Sequence, residues 1–202
     1  MLKVKICGLT REEDIDYVNH LLPDYAGFVF AASKRQVTLE QAKKLIEKLD
    51  NRIEKVGVFV NPAMEEVRKI AECCKLDILQ FHGEEKPEDI EKFTQRVWKA
   101  FRIKDVESYK ELNQYEVDGY LLDSFMKGQQ GGTGQAFDWY LNADIHKNKC
   151  IILAGGLSAD NLQEAVKEMK PHVVDVSSGV ESNGHKDFEK MKKFIEKVRE
   201  KI

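Results

Sequence analysis

Short apolar runs alternate with charged, helix-period stretches along the whole of this 202-residue chain, and that alternation leaves few folds open. The expected strands are Lys3–Ile6, Ala26–Phe30, Lys55–Val60, Ile78–Phe81, Trp98–Phe101, Gly119–Leu122, Ile151–Ala154 and Val173–Val176. The expected helices are Glu12–Leu22, Leu39–Leu49, Ala63–Cys74, Pro87–Phe93, Val106–Asn113, Asp138–Asn142, Ala159–Met169 and His185–Lys201. Strand then helix, repeated eight times, means parallel strands joined by right-handed crossovers. Eight units in 202 residues fit a single-domain closed (β/α)8 barrel, the TIM barrel, spanning 1–202 at near-minimal length with short loops. A doubly wound open sheet is the alternative. It needs Gly-x-Gly-x-x-Gly after the first strand, where this chain reads Cys7-Gly8-Leu9-Thr10.

Local punctuation agrees with the alternation. Thr10 with Glu13 three residues later reads as a capping box for the first helix. Thr38 reads as the cap of the second helix, Asn61-Pro62 as the start of the third, and Ser158 as the cap of the seventh. Leu39, Ala42, Leu45, Ile46 and Leu49 form one apolar helical stripe for the core.

Composition narrows the function classes. Hydrophobic residues make up 42% and charged residues 33%, as in a globular chain with a sizeable core. The net charge is -3 with Lys and Glu interspersed, so neither nucleic acid nor an anionic membrane is an expected partner. No apolar run is long enough to span a membrane, and the N-terminus has no secretory pattern. The cysteines, Cys7, Cys73, Cys74 and Cys150, contain no Cys-x-x-Cys, and the five histidines show no metal-ligand spacing. A cytoplasmic protein with free thiols and no metal is the expectation.

The chemistry collects at the ends of the strands, where parallel α/β folds keep it. Side chains alternate along a strand, so Lys3, Lys5 and Cys7 share one face of the first and Leu2, Val4 and Ile6 the other. Two lysines and a terminal cysteine on one face make sense if that face looks into a site; an inert buried cysteine is the bland alternative. Strand six ends at Asp123, either a general acid or an ion-pair partner. Arg35 follows strand two, either pairing a carboxylate or standing in solvent. Gln80 and His82 share a face of strand four, where a hydrogen-bonded structural histidine is the commoner outcome. Strands seven and eight end in Gly155-Gly156 and Ser177-Ser178-Gly179. These are either tight turns or a phosphate monoester site built by Gly155, Gly156, Ser178 and Gly179. Lys127–Gln135, with its four glycines, is a flap or a solvated loop.

Together these pieces resemble the phosphoribosylanthranilate isomerase family of tryptophan biosynthesis. The resemblance rests on Lys5-Ile6-Cys7-Gly8-Leu9-Thr10, Ser33-Lys34-Arg35-Gln36-Val37, Gln80-Phe81-His82-Gly83, Leu122-Asp123-Ser124, Gly131-Gly132-Thr133-Gly134, Ala154-Gly155-Gly156-Leu157 and Asp175-Val176-Ser177-Ser178-Gly179-Val180-Glu181, in the family's order. Lys34 stands where the family commonly has proline. The resemblance implies an Amadori rearrangement of a phosphoribosyl substrate without cofactor. It implies Cys7 as general base, Asp123 as general acid, Arg35 on the anthranilate carboxylate, and the last two loops on the 5′-phosphate. Lys5, on the face of Cys7, is expected to lower its pKa, and Asp123 is expected to be protonated in the complex. Oligomeric state is left open between monomer and homodimer. A sugar-phosphate epimerase fits poorly for want of metal ligands, as does an indole-forming synthase for want of several catalytic lysines and glutamates. From a different class, a catalytically silent barrel sensing a phosphorylated metabolite would keep the glycine loops but has no need of Cys7 or Asp123.

Overall fold

In the computed structural model, which describes residues 1–102, 111–123 and 149–200, eight parallel strands close into a barrel in sequence order. They are β1 (Lys3–Cys7), β2 (Tyr25–Val29), β3 (Glu54–Phe59), β4 (Ile78–Phe81), β5 (Arg96–Phe101), β6 (Gly119–Asp123), β7 (Cys150–Ala154) and β8 (Val173–Val176). All eight were legible as apolar runs. Closure comes from β1, which pairs with β2 on one side and β8 on the other and so sets Lys5 beside Asp175. Among the described residues no helix is long and apolar enough to cross a membrane.

Alternation along the strands divides the core in two. Tyr25, Val56, Ile78, Trp98, Leu121, Ile152 and Val173 fill the barrel interior. Residues of opposite parity, among them Ile6, Phe28, Phe81, Leu122 and Val174, meet the helices outside. Both strand faces are thus dry, which is why the strands read as runs rather than as strict apolar–polar alternation. Each fully buried aliphatic or aromatic side chain contributes about 1.5–3 kcal/mol of transfer free energy.

The helices are α1 (Glu12–Leu21), α2 (Leu39–Glu47), α3 (Met64–Cys74), α4 (Pro87–Ile90), α5 (Leu162–Met169) and α6 (Phe188–Arg199). Their starts correct several expectations. Asp14, not Glu13, closes the box at α1: its buried carboxylate accepts the Thr10 and Arg11 amides at 2.9 and 3.0 Å. Arg11 occupies the cap position and Glu13 pairs with it outside. Thr38 caps α2 as expected, in a reciprocal box with Gln41. Asn61 does not cap α3. It has φ 47°, and its side-chain oxygen accepts the Glu84 amide at 2.7 Å, tying the β3 loop to the β4 loop. Ser158 opens a turn by accepting the Asp160 amide, and α5 begins only at Leu162. The last helix starts three residues later than expected, after a ribbon in which β9 (Glu181–Ser182) pairs with β10 (His185–Lys186). The expected helix Asp138–Asn142, the Lys127–Gln135 loop, Ser124, Gly131–Gly134 and most of Val106–Asn113 lie outside the described residues.

Candidate active site

At the tip of β1 the chain turns through Gly8 with φ 81°. A side chain there would be strained in this left-handed conformation, and its Cβ would collide with the stem of Arg35. Glycine therefore lets the arginine stem lie directly over the backbone after Cys7. The Arg35 fork meets Glu181, with Nε to Oε1 at 2.6 Å and Nη2 to Oε2 at 2.8 Å. Burial would push Glu181 up, but Arg35 and Lys186 overcome it and hold the carboxyl at about 2. Of the two expectations for Arg35, pairing a carboxylate or standing in solvent, the structure shows the first, with the carboxylate supplied from beyond β8 by Glu181.

Beneath Cys7, Lys5 is fully buried and donates to Asp175 at 2.8 Å. Burial favours the neutral amine, but Asp175 and Cys7 outweigh it and the Lys5 pKa is raised. Lys186, also buried, donates to Glu181 Oε1 at 2.8 Å, the Ser177 carbonyl at 3.1 Å and the Ser177 hydroxyl at 3.3 Å. Ser177 Oγ in turn donates to the Cys7 carbonyl at 2.9 Å. Burial pushes the Cys7 thiol up, and Asp175 adds to this, against the lowering pull of Lys5 and Lys186. The expected effect of Lys5 is present in direction, but burial outweighs it and the Cys7 pKa is raised.

A second cluster stands on β4 and β6. The Gln80 amide nitrogen lies 3.3 Å from His82 Nδ1, and His82 Nε2 lies 3.3 Å from Asp123 Oδ2. Gln80 thus sits against one ring nitrogen of His82, and the other is hydrogen-bonded to the Asp123 carboxylate. This bond lowers the Asp123 pKa despite partial burial, with Arg102 assisting. His82 thus engages Asp123 as a pair partner, one of the two roles its place at the strand tip left open.

The third element joins the loops after β7 and β8. Gly155 and Gly156 both have positive φ. A Cβ on Gly179 would run into the Leu157 carbonyl, so only glycine lets the two loops touch. The amides of Gly155, Gly156, Ser178 and Gly179 donate to no other described residue, as a cradle for an anion requires. Asn161 holds the glycine turn, donating to the Gly156 carbonyl at 2.9 Å and accepting the Ser158 amide at 2.8 Å.

Every expected site residue thus lies at the C-terminal rim or in the layer just below it. Asp175, Ser177, Glu181, Lys186 and Asn161 carry contacts that no role was expected for. Asn183-Gly184 was the available signal for one of them: it is the dipeptide of a two-residue hairpin, and that hairpin delivers Lys186.

A closed (β/α)8 barrel bearing a thiol, an imidazole-bound carboxylate and touching glycine loops on one rim belongs among the barrel enzymes that work by moving protons. The family model of N-(5′-phosphoribosyl)anthranilate (PRA) isomerase matches residues 4–197. The chain is 54% identical over 200 residues to the N-(5′-phosphoribosyl)anthranilate isomerase of Thermoanaerobacter pseudethanolicus, covering 98% of each. Mutually generated monomers of the dimeric enzyme from Thermotoga maritima superpose with TM-score 0.86 at 34% identity, over 100% of each chain. A phosphoribosyl anthranilate isomerase in complex with reduced 1-(o-carboxyphenylamino)-1-deoxyribulose 5-phosphate gives 0.85 at 34% identity, over 98% of this chain and 99% of that one. The chain belongs to the N-(5′-phosphoribosyl)anthranilate isomerase family.

Proposed function

We propose that this chain catalyses the Amadori rearrangement of N-(5-phosphoribosyl)anthranilate to 1-(2-carboxyphenylamino)-1-deoxyribulose 5-phosphate in tryptophan biosynthesis, with Cys7 as general base and Asp123 as general acid. Asp123 gives its proton to the furanose ring oxygen while the nitrogen lone pair opens the C1′–O bond to a Schiff base. Cys7 as thiolate takes the C2′ proton, and the electron pair moves to give an enolamine. Protonation at C1′ and loss of the enol proton yield the ketone, so electrons are redistributed within the substrate and no oxidant is consumed. Arg35 takes the anthranilate carboxylate, and Gly155, Gly156, Ser178 and Gly179 take the 5′-phosphate. The observation that carries this reading is the placement of all these groups on one rim of a barrel belonging to the isomerase family. The reading extends to one catalytic unit over 1–202, acting in the cytoplasm as a monomer or homodimer.

The proton states give the mechanism a definite cost. Moving one proton from an ordinary thiol to an ordinary aspartate spans nearly 5 pKa units, about 6 kcal/mol. Burial raises Cys7 and His82 lowers Asp123, and both directions widen that gap. Substrate binding narrows it. The furanose oxygen accepts from a protonated carboxyl and so competes with His82 for Asp123. Lys5 and Lys186 stand ready to favour a thiolate once it forms.

The test is turnover. N-(5-phosphoribosyl)anthranilate is generated in situ, because it hydrolyses quickly, and its fluorescence decay is followed with purified protein. The reading expects decay far above background with formation of the ribulose product. Decay at the background rate refutes it and leaves the silent metabolite-sensing barrel.

A further inference from the structure

Lys186 is a buried lysine to which the mechanism gives only a pull on the Cys7 thiol; burial lowers its own pKa, against the raising pull of Glu181. Its side chain is 1% exposed and its three contacts, to Glu181 and twice to Ser177, use all three N–H donors. Glu181 Oε1 is shared between Lys186 and Arg35 Nε. The remaining oxygen takes Arg35 Nη2. Arg35 is therefore gripped along the edge formed by Nε and Nη2. Its end-on edge carries no hydrogen bond to a described residue, and the side chain keeps 21% exposure. Lys34 Nζ also lies 3.9 Å from Glu181 Oε2, so Arg35, Lys186 and the exposed Lys34 face one carboxylate and the cluster carries an excess of positive charge. Without Lys186, Glu181 would be offset only by Arg35 and the exposed Lys34, and the positive excess that meets an arriving carboxylate would fall.

We propose that Lys186 is a positioning residue for carboxylate recognition: it holds Glu181 by one oxygen, so that Glu181 aligns Arg35 side-on while the guanidinium keeps a net positive field and a free end-on edge for the substrate carboxylate. The inference rests on the isomerase reading and deepens it, since it assigns carboxylate binding to three residues rather than one. Glu181 is a built-in carboxylate partner for Arg35, and the substrate adds to the cluster on its unused edge rather than displacing that partner. The Asn183-Gly184 hairpin is the device that brings Lys186 under Glu181.

Binding separates this role from mere packing. Reduced 1-(o-carboxyphenylamino)-1-deoxyribulose 5-phosphate and ribose 5-phosphate, which lacks the carboxylate, are titrated into wild type, Lys186→Met, Lys186→Arg and the double variant Glu181→Gln/Lys186→Met. Lys186→Met is expected to weaken the carboxylate ligand about tenfold or more while ribose 5-phosphate stays within about threefold. Lys186→Arg is expected to retain most of the affinity. The double variant removes the uncompensated anion but also the carboxylate that aligns Arg35, and is expected to recover part of the loss and stay weaker than wild type. Equal loss for both ligands, no loss in Lys186→Met, or a double variant as weak as the single one overturns the assignment. Turnover of N-(5-phosphoribosyl)anthranilate by wild type is measured alongside. If it is absent the isomerase reading falls, whereas turnover with an unaffected Lys186→Met removes the role of Lys186 alone.

Discussion

Replacing Lys5 by methionine keeps most of the side chain's length and removes its charge. Lys5 is 0% exposed, the Asp175 side chain 6%, and they meet at 2.8 Å. The other Asp175 oxygen has no hydrogen-bond partner among the described residues. Lys5→Met therefore strands a carboxylate inside the barrel. Breaking a buried pair from one side costs about 3–5 kcal/mol. For a domain of this size that lowers Tm by about 6–20 °C, at roughly 2–4 °C per kcal/mol. Removing the carboxylate as well, in Lys5→Met/Asp175→Asn, takes away the unpaired charge and is expected to restore at least half of the loss. The pKa of Lys5 is raised by folding, so its contribution is complete below the ordinary lysine value of about 10.4 and disappears only as pH climbs through the folded value. Urea unfolding at pH 7 thus reads the full effect. The same variant removes a charge that pulls the Cys7 thiol down, so the pH profile of Cys7 alkylation, followed by mass spectrometry, is expected to move to higher pH. A loss below about 1 kcal/mol, or a double variant no more stable than the single one, refutes the buried-pair account. An unmoved alkylation profile removes Lys5 from the tuning of Cys7.

Other perturbations address the remaining groups. His82→Asn removes the bond that chiefly lowers Asp123, so the acidic limb of kcat/KM is expected to shift upward in pH; an unchanged limb means that Asp123 does not govern it. Glu181 is depressed to about 2, so its ionic contribution to stability is present above the unfolded glutamate value of about 4.3 and lost as pH falls through 2. Urea midpoints for Glu181→Gln and wild type are accordingly expected to differ at pH 7 and converge toward pH 2, and a constant difference contradicts the pairing. Gly179→Ala forces a methyl against the Leu157 carbonyl, with an expected loss of about 1–3 kcal/mol and weaker binding of ribose 5-phosphate. Unchanged phosphate affinity in a folded Gly179→Ala takes the touching loops out of anion binding.

Local signals in the sequence were reliable where the cause was local. Each β-strand is a run of apolar residues because both of its faces are dry, and Thr38-x-x-Gln41 closes a capping box within one helical turn. The first helix shows the limit of pattern matching. Thr10 and Glu13 have the right spacing, but Asp14 sits where its shorter side chain reaches the Thr10 and Arg11 amides together. The rim residues could be placed from strand ends; their proton states could not. Lys5 and Asp175 are 170 positions apart and meet only because the barrel closes between β1 and β8. Glu181 reaches Arg35 across 146 positions. Ion pairs of such separation leave no spacing to read, and one of them decides what Arg35 meets at the rim. Lys186 is the intermediate case: its hairpin was written in Asn183-Gly184, but its neighbours depend on where β8 ends.

The central claim is that Cys7 and Asp123 move protons rather than bind, and the most direct test measures rate and affinity on the same variants. Cys7→Ser and Asp123→Asn are assayed for kcat on N-(5-phosphoribosyl)anthranilate and for affinity toward the reduced 1-(o-carboxyphenylamino)-1-deoxyribulose 5-phosphate analogue. The account predicts that kcat falls by about two to four orders of magnitude in each, while the analogue's Kd stays within about threefold of wild type. Near wild-type kcat in Cys7→Ser, or a loss carried entirely by Kd, contradicts it.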